Sequence, residues 1–141
     1  MDKKIVAFLI FVNLFASSMR HSKADSTDDF EKTSVFSLGL IGFVGHISPQ
    51  EEMYRRIMKT SNAKSYFEEI LESKEATIES KMYAMCGLRE MDRQSFKKHK
   101  GEFPPSIKVS IMKGDLLLKE NVSDVLYRIS KFGCKTKESE P

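Results

Sequence analysis

The sequence predicts a mostly α-helical α+β fold: an α-hairpin array of three to four helices with one β-hairpin and a C-terminal helix. Three observations carry that expectation. Between residues 49 and 91 apolar side chains recur at three- and four-residue spacing, the period of a helix with one buried stripe. Beyond Gly101 and the helix-stopping pair Pro104-Pro105 the period falls to two on either side of Gly114-Asp115, which reads as a hairpin. A final three-four stripe runs from Val122 to Ile129.

The elements follow in chain order. Met1-Asp2-Lys3-Lys4 is a short basic start, Ile5 to Ala16 is an apolar run broken only by Asn13, and small residues come next. This is the layout of a secretory signal peptide, assigned to residues 1–24, with cleavage after Ser18 or Ala24. The run is too short to cross a bilayer as a relaxed helix, so no stable membrane span is expected after cleavage. An uncleaved segment would instead make the chain a membrane-attached structural protein. Removing residues 1–24 takes four cations and one anion from the 23 basic and 20 acidic residues, which leaves the remainder formally neutral. That argues against nucleic acid as a partner, since phosphate binding needs clustered, uncompensated positive charge.

Residues 25–33 are polar and acidic and read as a flexible leader to a single globular domain over 34–134; residues 135–141 read as a disordered tail. Residues 34–48 contain no charged side chain and place Gly39, Gly42 and Gly45 three apart. A buried strand or loop with close backbone packing, a helix with a small-residue face, and a membrane-surface segment all fit this pattern, and close packing is favoured. Ser48-Pro49-Gln50-Glu51 is a helix start with a capping-box spacing. Met53, Tyr54, Ile57 and Met58 form the first stripe, and Ala63, Tyr66, Phe67, Ile70 and Leu71 the second. From Ala76 to Met91 a third helix has hardly any polar face, so neighbours should enclose it on several sides. Asp92 can cap a short further turn. Leu116-Leu117-Leu118 supplies the return strand of the hairpin, and a lone hairpin must pack on the helices or gain a third strand, for which Val35 to Val44 is the candidate.

Two cysteines, Cys86 and Cys134, admit a single intramolecular bridge. In an oxidising compartment it would close a loop of about 49 residues and contribute on the order of 4 kcal/mol. The competing reading makes Cys86 a small buried hydrophobe and Cys134 a free thiol near the tail.

The segments "MYAMCGLREMD" and "SIKVSIMKGDLLLKENVSDVLYRI" resemble small exported bacterial proteins of unknown function, some encoded near microcin gene clusters. Tyr83, Ala84, Cys86, Gly87 and Leu88 match the first element of that pattern. Where those proteins place a second cysteine after the hairpin glycine, this chain has Asp115, and its second cysteine is Cys134. The Tyr-Ala...Gly-Leu texture is also similar to helices of HEAT-like repeats. The resemblance implies export to the periplasm or medium, and a role accessory to a microcin system.

Catalytic signatures are absent from the sequence: there is no G-x-S-x-G motif, and His46 and His99 stand in unrelated segments without ligand spacing. The expected function is therefore an exported, non-enzymatic module that binds a protein or peptide, with no cofactor and no metal. A small envelope hydrolase is the alternative. Arg55, Arg56 and Lys59 on the outer side of the first helix, and Tyr127 opposite the last stripe, are the candidate binding surface.

Overall fold

The structure, a computed structural model, describes residues 29–135. The expected signal peptide and the tail beyond Lys135 lie outside those residues. Among the described residues a helical turn over 29–31 is followed by two short strands, β1 (Leu40–Ile41) and β2 (His46–Ile47). Four helices follow: α1 (Pro49–Met58), α2 (Ala63–Glu72), α3 (Ile78–Met91) and α4 (Arg93–Lys100). The antiparallel pair β3 (Lys108–Lys113) and β4 (Leu116–Asn121) then leads into α5 (Val122–Phe132). The α+β class is as expected, with one small hairpin more than the sequence suggested.

Local chemistry sets the boundaries. Ser48 Oγ accepts the Glu51 N–H at 3.1 Å and Pro49 occupies the first turn, so α1 starts where its cap residues put it. Asp92 Oδ1 accepts the N–H groups of Gln94 and Ser95 at 3.0 and 3.1 Å, which opens α4. Thr77 caps α3 through the Ser80 N–H, so the helix begins at Ile78, two residues inside the expected start. Gly114 has φ 55° while, among the described residues, no non-glycine residue has positive φ, giving the glycine-first hairpin turn that Gly114-Asp115 predicts.

The core is built around α3. Every residue from Met82 to Leu88 is buried, because α2, α5, α1 and β3 pack around this helix. Gly87 is required by that enclosure: a Cβ there would sit 2.2 Å from the Phe67 ring on α2. The apolar stripe of α5, Val122, Val125, Leu126 and Ile129, is buried in the same core. Cys86, on α3, is bonded to Cys134, just past α5, with Cα atoms 5.6 Å apart. The free-thiol reading of the two cysteines is therefore set aside.

Two expectations need correction. Residues 29–31 are helical, and Phe30 is fully buried, its ring 5.9 Å from Tyr66, 6.5 Å from Phe67 and 5.9 Å from Tyr83. The end of the supposed leader is thus part of the domain, because one aromatic among acidic neighbours is enough to anchor it. The glycine-spaced segment also divides in two. Phe36 and Ser37 are buried, whereas residues 42–45 form a turn in which residues 43–45 are exposed. The third strand is nonetheless present in rudiment, since Phe36 bridges Ile111 in parallel through Phe36 N–H to Ser110 O (2.8 Å) and Met112 N–H to Phe36 O (3.0 Å).

Gly87→Ala is expected to lower the unfolding free energy by about 1–3 kcal/mol in a denaturant titration, against alanine's better helix propensity, because Phe67 must be displaced. Reduction of the disulfide is expected to lower stability by about 2–4 kcal/mol, read as a fall in urea midpoint between oxidised and reduced protein.

Candidate functional site

Both hairpins end at the same place. The four-residue turn joining β1 to β2 is closed by Gly45 N–H to Gly42 O at 3.0 Å, and Gly42 N–H donates onward to Gly114 O at 3.2 Å in the β3–β4 turn. Ile41 and Gly114 form a parallel bridge at this junction. Gly42 and Gly45 have φ of 76° and 67°, left-handed values that leave glycine as the residue of choice on each side of Phe43-Val44. With the turn so constrained, both apolar side chains point into solvent: Phe43 is 97% and Val44 89% exposed. Nearby on β4, Leu116 and Leu117 are 64% and 60% exposed. Soluble domains seldom leave several large apolar side chains uncovered together, and such groups mark interaction sites.

A buried polar framework holds this end in position. The Tyr83 hydroxyl, on fully buried α3, donates to Ser37 O at 2.8 Å and accepts the Ser37 N–H at 3.1 Å. Ser37 Oγ donates to Ser48 Oγ at 2.8 Å, and Ser48 caps α1. Burial pushes the Tyr83 phenol above its ordinary pKa, against the opposing pull of its Ser37 bonds. Glu51 does not return to the cap backbone as its spacing suggests. Its carboxylate instead accepts the Gly39 N–H at 2.7 Å and the Arg55 guanidinium at 2.7 and 3.1 Å, because Gly39 stands at the foot of β1 with a backbone donor to satisfy.

The residues singled out from sequence are distributed differently. Arg55 is engaged with Glu51, while Arg56 and Lys59 are exposed on α1. Tyr127 is exposed on α5 as expected, with Lys131 Nζ 5.7 Å from its ring centre. Neither Phe43 nor Val44 was singled out, although two apolar residues between glycines three apart are a turn signal. His46 is exposed on β2, and His99, buried on α4, has its Nδ1 2.9 Å from Glu102 Oε2.

On the face of the sheet toward α5 lies a groove of about 270 Å³ lined by Phe36, Leu38, Ile111, Ile129 and Phe132, with Lys113 and Arg128 among its walls. Both cations are tied to Glu120, and Lys113 and Arg128 hold that carboxyl below its usual range. A second hollow of about 170 Å³ is lined by Leu71, Ile78, Phe103 and Ile107, with Lys81, whose ammonium is pushed down in pKa by burial. No family model, curated protein or solved structure matches the chain. Among the described residues no helix is long and apolar enough to cross a membrane.

Tyr83→Phe is expected to cost about 1–3 kcal/mol, since it strands the buried Ser37 N–H and C=O. Hydrogen exchange should show the accompanying loss of protection at the Ser37 amide, with α5 amides less affected.

Proposed function

We propose that this chain is an exported, non-enzymatic module that binds a protein or peptide in the bacterial envelope through the apolar end formed by its two joined hairpins. The observation that carries the reading is the near-complete exposure of Phe43 and Val44 on a turn whose glycine-bounded backbone gives them no route inward. A turn so shaped presents two side chains in a fixed place, so a partner need not order them on binding. The Cys86–Cys134 bridge supports export, because disulfides of this kind persist outside the reducing cytosol. Arg56 and Lys59 on α1 and Tyr127 on α5 are exposed and stay the second set of candidates, whereas Arg55 of the same set is taken up by Glu51.

Photo-crosslinking in intact cells distinguishes the two surfaces. A benzophenone amino acid in place of Phe43 is expected to give a discrete protein adduct, and the same group at Arg56 or Tyr127 to give none. Val44→Asp should cut the adduct at position 43 about tenfold, the scale of losing a central contact residue. Adducts from positions 56 or 127 alone, or only lipid adducts from position 43, would overturn the proposal.

A further inference from the structure

The strand β4 has an open outer edge, and its polarity can be derived from the other side of the sheet. Ser110 and Met112 of β3 direct backbone groups to Phe36, away from β4. Their partners across the hairpin, Lys119 and Leu117, therefore sit in the non-hydrogen-bonded pairs and send their own N–H and C=O groups outward. Among the described residues none of these outward groups has a backbone partner. The strand reads Leu-Leu-Leu-Lys-Glu-Asn, and five of its six residues are exposed. An uncovered apolar edge of this kind is a template for another strand.

We infer that the edge pairs with the β4 edge of a second copy of this chain, antiparallel and centred on Leu117 facing Leu117. This inference goes beyond the proposed function and does not depend on it. Register decides the occupant. Antiparallel bonding across a two-fold axis requires outward-facing residues to meet each other, which Leu117 satisfies. That register also sets Leu116 against Leu118 of the other copy, twice, so each leucine gains an apolar cross-strand neighbour. It brings Lys119 opposite Asp115, again twice. Asp115 has no ion pair among the described residues, and Lys119 holds only the neutral Ser110 hydroxyl at 2.6 Å, whereas the neighbouring Glu120 is already claimed by Lys113 and Arg128. Shifting the axis to Lys119 would oppose like charges, and centring it on Leu118 would set Leu116 against Glu120. The edge is thus complementary to itself in one register.

The test uses the full oxidised chain, whose two native cysteines are both bonded, so an introduced thiol is the reactive one. Light scattering after gel filtration is expected to show a concentration-dependent dimer. Leu117→Cys should oxidise to a covalent dimer and Leu118→Cys should not, because paired Cα atoms at the axis lie about 5.5 Å apart, within bridging range. Lys119→Asp should weaken the dimer about tenfold, and Asp115→Lys added to it should restore the affinity, as expected for two exchanged charge pairs. Circular dichroism checks that each variant is folded. A monomer at every concentration overturns the inference, whether it stays in solution, sediments with phosphatidylglycerol vesicles or takes up an added extended peptide. So does a dimer indifferent to Lys119→Asp, or one linked through Leu118→Cys in preference to Leu117→Cys.

Discussion

The hydroxyl of Tyr83 is the contact on which the arrangement of the N-terminal half depends. It lies at the centre of the apolar interior, yet it both donates to and accepts from Ser37, so a strand that makes one bridge with the sheet is held by a side chain instead. Its ring meets those of Phe36, Tyr54 and Phe30 at 4.8, 5.6 and 5.9 Å. One residue on α3 therefore joins the first turn of the domain, the rudimentary third strand and α1. Such a residue is expensive to alter, because an apolar replacement retains the packing but leaves backbone groups buried without partners.

Two buried carboxylates extend the same logic. Glu51 and Glu79 are almost wholly enclosed, and each accepts a backbone N–H in or next to a strand: Gly39, just before β1, in one case, Ser110 of β3 in the other. A larger sheet would satisfy those donors with a neighbouring strand. Here the sheet is too small, and helix side chains complete it. This is why the first hairpin can stand away from the core and still have a defined position: its foot is clamped by Glu51 and its tip leans on the Gly114 carbonyl. The apolar end is a consequence of rigid support underneath it.

Much of this was legible in the residue pattern, for a physical reason that also marks the boundary of legibility. Helical stripes, caps and the hairpin turn are local, so Ser48, Asp92 and Gly114 announce their roles within a few positions. The all-round apolar face of α3 likewise implied enclosure. What was missed is long-range polar pairing. Nothing near Glu79 in sequence indicates that its carboxylate meets a strand amide 31 residues away. Phe30 was hidden by its acidic neighbours, and residues 34–48 looked like core because they lack charge, although lack of charge does not distinguish a buried turn from one offered to a partner. Leu116 to Leu118 carry the same ambiguity, since an apolar return strand reads alike whether it is covered or open.

The covalent bridge also divides the chain mechanically. Residues Cys86 and Cys134 are 48 apart in sequence, and α4, the β3–β4 pair and α5 all lie inside the loop they close. Tension applied to the chain beyond Lys135 passes through the sulfur atoms directly into the middle of α3, bypassing everything between. While the bridge is oxidised, traction from the carboxyl end can peel away neither the ribbon nor the last helix; it must load the most enclosed helix in the molecule.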